Sequence, residues 1–359
     1  MNAQARYGDP RYGLARGLAM YSEAEIDAAV KAGVLPAETA AAFRDFVARG
    51  HAAPGVDEEH FRLLTGFNDI FVTIAAALIL IAIGWLGARA APWLGGALVA
   101  ATSWGLAEYF TRKRRMGLPS ILLLLSFVGA CIGTALALAM PDANGFGRGH
   151  VAPLLAAFCV AVGAVAAFLH WRRFMVPITV AAGAASALGA GVIVVATAFP
   201  DSLEFMRVLT FIAGVAMFGL AMWWDASDRQ RVTRRADVAF WLHLAAAPMI
   251  VHPVFGGLGL LAHGPVAAAN ALLAVGIYVV LAAVALAVDR RALLVSALAY
   301  VLWALSGLLI GQGAIASGFP IAALVIGSCL LLLSALWQRI RRATVLALPP
   351  RLQFSLPPV

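Results

Sequence analysis

The stretch DIFVTIAAALILIAIGWLGARAAPWLGGALVAATSWGLAEYFTRKRR, residues 69–115, decides the fold. It holds two apolar runs, and each is long enough to cross a bilayer as a helix of about 20 residues. A short turn with Arg89 and Pro92 separates the runs, and Arg112, Lys113, Arg114 and Arg115 close the second. This is a membrane hairpin with a basic end. The Arg114-Arg115 ending recurs as Arg172-Arg173, Arg234-Arg235, Arg290-Arg291 and Arg341-Arg342, at intervals of 51 to 62 residues. That interval is the length of two spanning helices with their turns.

Extending the same reading along the chain gives ten spans near 69–88, 92–111, 117–140, 151–170, 175–198, 207–224, 237–255, 266–288, 292–311 and 317–337. The fold class is all-α, a polytopic integral membrane protein of about ten transmembrane helices arranged as successive hairpins. The loops after even-numbered spans hold fifteen lysines and arginines, whereas the opposite loops hold three, Arg89, Arg148 and Arg207. Basic residues mark the cytoplasmic side. Both termini are therefore expected in the cytoplasm, with the protein multi-pass in a bacterial inner membrane. Arg114-Arg115 is followed by Pro119 and Arg172-Arg173 by Pro177 at the same offset, and the two hairpins turn at Met140-Pro141-Asp142 and Phe199-Pro200-Asp201. These matches fit a duplicated hairpin, although proline and acid also mark membrane turns in general. Two inverted halves of five spans would fit the count as well.

Composition supports the same class. Hydrophobic residues make up 62% of the chain and charged residues 12%, against about 45–50% and about 25% in soluble domains. A net charge of +8 belongs to helix ends, where it signals topology and attracts anionic lipid; nucleic acid is not an expected partner. Cys131, Cys159 and Cys329 lie inside apolar runs without metal or disulfide spacing.

Outside the spans, residues 1–18 read as a disordered tail. Residues 19–68 read as a cytoplasmic helical hairpin followed by an interfacial helix. Ser22 and Glu25 have capping-box spacing, Gly33 is a helix stop and Pro36 fits the first turn of a second helix. An interfacial helix over 57–67 would carry Phe61, Leu64 and Phe67 on one side, and Asn68 or Asp69 would cap the first span. The membrane domain is placed at 69–338. Residues 339–359 form a basic, Pro-rich cytoplasmic tail, whose segment with Leu348-Pro349-Pro350 and Leu356-Pro357-Pro358 reads as extended and polyproline-like, free or docked on the cytoplasmic face. This layout, with Ser22-Glu23-Ala24-Glu25-Ile26 and Ala32-Gly33-Val34-Leu35 ahead of many Ala/Gly/Leu-rich spans, resembles bacterial predicted membrane proteins in families defined by domains of unknown function. The resemblance implies the layout and no activity. Arginine-rich usage with only Lys31 and Lys113 fits a GC-rich bacterial genome.

The seventh span carries the main candidates for chemistry: His243, Pro248, His252 and Pro253. Pro248 would free the carbonyl of Leu244 and Pro253 that of Met249, and a broken helix at membrane depth lines a cavity or packs on protein. His243 and His252 stand nine residues apart, on nearly opposite faces of a straight helix. One reading makes them a proton or substrate path in a discontinuous helix. The other makes His243 a neutral histidine bonded to a neighbouring helix. Together with His263 they lack zinc-like convergence, and no metal or cofactor is expected.

Glu108 reads as an ion pair with the basic residues after it, and Asp225 and Asp228 as a solvated, charge-paired turn. Asn270, Tyr300 and Gln312 are secondary polar candidates for a path or for bonds between helices. No nucleophile elbow, zincin or phosphate-loop motif occurs, so an enzyme is not the expected class and no catalytic residue is assigned. The leading expectation is a transporter- or channel-like protein for a small molecule, ion or lipid. The alternative is a non-catalytic scaffold or sensor subunit that recruits a cytoplasmic protein through its N-terminal hairpin and tail. Membrane lipids are partners in either case. A topology reporter inserted within residues 225–236 should read cytoplasmic, and one beside Arg148 should read the opposite side; the reverse pattern would overturn the arrangement.

Overall fold

The computed structural model describes residues 23–43, 67–139, 151–199, 202–229, 231, 233–259, 267–311, 318–353 and 356–357. Among them every regular element is helical and no strand occurs. Two compact units divide the chain, Met1–His60 and Phe61–Val359.

In the first unit α1 (Glu23–Lys31) is followed by α2 (residues 37–43). Gly33 takes a left-handed φ of 69°, and the Val34 N–H donates to the Ala29 carbonyl at 3.0 Å. Only a residue without Cβ adopts that φ at no steric cost, so Gly33 stops the helix where the sequence placed the stop. The tail at 1–18, the capping Ser22 and the interfacial helix lie outside the described residues, save Phe67, which begins α3.

The second unit contains α3 (Phe67–Ala90), α4 (Pro92–Ala107) continued by a π-helical stretch at Glu108–Lys113, α5 (Gly117–Ala139), α6 (Val151–Phe174) and α7 (Ile178–Ala196). It goes on with α8 (Leu203–Ser227), α9 (Arg234–Gly257), α10 (Ala268–Val288), α11 (Ala292–Gly311) and α12 (Gly318–Ala335). Eight of these, α3, α5 to α10 and α12, are long and apolar enough to cross a membrane. The remaining two, α4 with 16 residues and α11 with an apolar stretch at Leu293–Leu309, occupy the other two intervals read as spans. Asp69 lies within the first turn of α3 rather than at its cap.

Sequence neighbours pack against one another along the bundle, most extensively α8 on α9, α6 on α7 and α4 on α5. Small residues allow close approach, the usual basis of helix packing in lipid. A Cβ on Gly95 would sit 2.5 Å from the Gly84 carbonyl, and one on Gly214 would sit 2.8 Å from the Met249 backbone. The most enclosed helix is α9: half of its membrane-length window is buried, against 17–33% in the other seven. It packs on α7, α8 and α11. Met217 and Ala221 of α8 meet Leu242 and Ala246 of α9, and Val251 and Phe255 share a second core with Ala271, Ala297 and Val301.

The expectation of a discontinuous seventh span is corrected: α9 runs unbroken from Arg234 to Gly257 with Pro248 and Pro253 inside it. Each proline deletes one N–H only, and the bonds on either side hold the helix, while Gly214 clears room for its backbone. The extended tail is corrected too. Residues Trp337–Leu346 form α13 and Pro350–Gln353 form α14. Trp337, Arg341 and Val345 recur at i, i+4 and i+8 and make one buried face. Leu356 packs against Val288 and Val345, so the tail is docked.

One backbone device repeats. The non-glycine residues with left-handed φ are Arg115 (53°), Met175 (54°), Arg231 (55°) and Asp289 (60°), spaced 56 to 60 residues apart. Each lies after an even-numbered helix of the bundle, beside an arginine pair, and turns the chain into the next hairpin. The left-handed region costs a side chain about 1–2 kcal/mol. Arg231 and Asp289 have side-chain bonds that occupy those positions, whereas Met175 is 45% exposed. Met175→Gly should therefore raise stability by up to ~1 kcal/mol, and Met175→Val should lower it by a similar amount. Thermal melts in detergent would show this, and equal melting temperatures for the two variants would contradict it.

Candidate functional site

The polar centre of the bundle is built at the ends of α8 and α10 and the start of α9. Asp225 lies in the last turn of α8 and is 2% exposed. A carboxylate there faces the negative end of its helix dipole and has left water, so it needs cations and donors. Arg290, 3% exposed, donates from Nη2 to Asp225 Oδ1 at 2.6 Å and from Nε to Oδ2 at 3.4 Å. Its Nη2 also donates to the Ala236 carbonyl at 3.1 Å, which ties α9 into the same clasp.

His243 completes the group. Its Cα–Cβ bond tilts toward the start of α9, which brings the ring back to the end of α8. Nε2 lies 2.9 Å from Asp225 Oδ2, and the ring is 0% exposed. A ring nitrogen facing a carboxylate carries the proton, so Nε2–H donates. Nδ1 is buried without a hydrogen-bond partner, and Phe218 meets the ring edge-on at 5.1 Å.

A second carboxylate stands beside the first. Asp289, with left-handed φ at the end of α10, accepts from Arg231 Nη1 at 2.8 Å and from Trp337 Nε1 at 2.8 Å, and Arg341 Nε lies 3.5 Å away. Arg231 also donates to the Val288 and Asp289 carbonyls at 3.0 and 3.2 Å, which caps α10. Arg341 donates to the Pro357 carbonyl at 2.9 Å, and Arg229 to the Leu356 carbonyl at 3.0 Å. Asp228 accepts from the Thr233 N–H and hydroxyl at 2.9 and 2.6 Å. The expected solvated turn is thus corrected in one respect: Asp225 and Asp228 are charge-paired or capped, but both are buried. Loop position hid that burial, because the partners of Asp225 come from 18 and 65 residues farther along.

The other nominated residues do not join this group. His252 is exposed, and its Nδ1 lies 2.7 Å from the Tyr300 hydroxyl. Phe255 stacks on Tyr300 at 5.2 Å. Asn270 donates to the Leu258 carbonyl at 3.1 Å and ties the start of α10 to the end of α9. Pro248 and Pro253 lie within α9 beyond His243, and Gln312 lies outside the described residues. Glu108 accepts a two-pronged bond from Arg173, Nε at 2.7 Å and Nη2 at 2.9 Å, with Arg112 at 3.3 Å. It is an ion pair, as expected, but its main partner belongs to the next hairpin.

Sequence reading missed Arg290, Asp289 and His170. The motif Asp289-Arg290-Arg291 was legible only as a topology mark. His170 is fully buried among Trp104, Phe127 and Phe174, with Thr179 Oγ1 3.4 Å from Nδ1. An ionisable residue just inside an arginine pair was the available signal. Among the described residues no three His, Cys, Asp or Glu side chains converge as metal ligands.

The fold and its buried charges define an all-helical, multi-pass membrane protein with an ionic clasp joining α8, α9 and α10. Comparison with protein-family models, with curated proteins and with solved structures found no match to this chain. Arg290→Met leaves Asp225 buried without its cation and should cost about 3–5 kcal/mol. Adding Asp225→Asn should recover more than half, because an amide oxygen still accepts from His243 and needs no counter-charge. Detergent melts of the single and double variants check this; a double variant as unstable as Arg290→Met would contradict it.

Proposed function

We propose that the chain is a non-catalytic, ten-pass protein of a bacterial inner membrane, with both ends in the cytoplasm, that serves as a scaffold or sensor subunit. Its N-terminal helical hairpin recruits a cytoplasmic protein. The observation that carries this reading is where the polar side chains of the bundle are used. His243, Asp225 and Arg290 satisfy one another, Tyr300 bonds His252, Asn270 bonds a helix end, and Glu108 bonds Arg173. They lie in separate places, each with a protein partner, rather than lining one path. The hairpin meanwhile leaves Val34 and Phe43 exposed, as suits a contact with another protein. The resemblance to bacterial predicted membrane proteins of unknown function fits the same layout.

A second reading keeps transport of a small molecule, ion or lipid. It draws on one feature, the buried and unpartnered Nδ1 of His243, because ionisable groups at membrane depth often belong to proton relays. One experiment separates the two. A photo-crosslinking residue at Val34 or Phe43, in cells, should give a discrete protein adduct, and His243→Ala with His252→Ala should leave solute uptake and efflux unchanged. Absence of any adduct, together with a transport defect in a double variant that still folds, would replace the scaffold reading by the carrier reading.

A further inference from the structure

On the α10–α12 side of the bundle lies a cavity of about 160 Å³ that belongs to neither reading. Its wall is apolar, with Leu294, Leu298 and Leu330. Val295, at its mouth, is exposed on the outer surface of the bundle. An opening on that surface, among helices built to cross a membrane, faces acyl chains. The occupant therefore arrives from the bilayer and brings a hydrocarbon chain.

One polar feature narrows its chemistry. Arg291 lines the cavity where α10 gives way to α11, with its guanidinium held 4.8 Å from the centre of the Trp337 ring. A cation and an indole fixed together at a helix end are a membrane-interface anchor, suited to a negative headgroup. Exposed Arg339 and Arg342 follow on α13 and add positive charge at the same helix start.

We propose that this groove binds one anionic phospholipid, with an acyl chain along Leu298 and Leu330 and its headgroup against Arg291. The proposal rests on membrane embedding and not on the scaffold reading, so either can fail without the other.

The test is native mass spectrometry of the full-length protein equilibrated with vesicles of equal phosphatidylglycerol and phosphatidylcholine. Phosphatidylglycerol should be retained preferentially, one molecule per chain. Arg291→Gln should weaken that retention about fivefold, the worth of one interfacial arginine. Leu298→Trp should fill the groove and abolish it; should that variant not fold, Val295→Trp at the exposed mouth should block entry without touching the core. Equal retention of the two lipids, or unchanged retention in Arg291→Gln and Val295→Trp, would overturn the proposal. Displacement of phosphatidylglycerol by glycerol phosphate alone would also overturn it, since the site would then recognise an anion and not a chain.

Discussion

A carboxylate buried at the carboxyl end of a helix is held there by cations, and in this protein the cation is Arg290. The Asp225 side chain has lost water and faces the negative end of the α8 dipole. Arg290 and His243 supply the missing charge and donors from α10 and α9. Three consecutive helices are thereby fixed at one end. The neighbouring Asp289 gathers Arg231, Trp337 and Arg341 in the same way and brings α13 and the tail onto the bundle. Buried ion pairs of this kind gain little net stability over apolar packing, but breaking one side is costly. Their effect is on which helices meet, and at what register.

The same device occurs twice along the chain. Arg173 clasps Glu108 and Arg290 clasps Asp225, and in each case the two residues are 65 apart. Each acid ends one hairpin and each arginine ends the next. The four left-handed residues, 56 to 60 apart, follow the same beat. Hairpins of like build, closed by like turns and clasped to their successors at one end, describe the bundle more fully than the count of its helices does. The clasps differ in depth, however. Glu108 and Arg173 are partly open to solvent, whereas Asp225 and Arg290 are sealed.

Much of this was legible from hydrophobic run length and arginine spacing. Eight of the ten apolar intervals fall on helices long and apolar enough to cross a membrane, because a run of about 20 apolar residues is a local property, and Gly33 marked a helix stop for an equally local reason. The misreadings concern matters that are not local. Pro248 and Pro253 suggested a break, but packing on α8 through Gly214 keeps α9 continuous. Asp225 read as a solvated turn because its main partner is an arginine 65 residues away. The tail read as extended from its prolines, although the Trp337, Arg341 and Val345 stripe could have shown α13. His243 stood out as a polar residue within an apolar run, yet its bond to Asp225 and its separation from the His252–Tyr300 pair depend on how the helices assemble.

His243 belongs to a sealed clasp and His252 does not. Diethyl pyrocarbonate labelling of the folded protein, read by peptide mass spectrometry, tests it most directly because the reagent modifies accessible imidazole. His252 should be modified rapidly and His243 protected until the protein is unfolded. Modification of His243 at a rate comparable to that of His252 would contradict it.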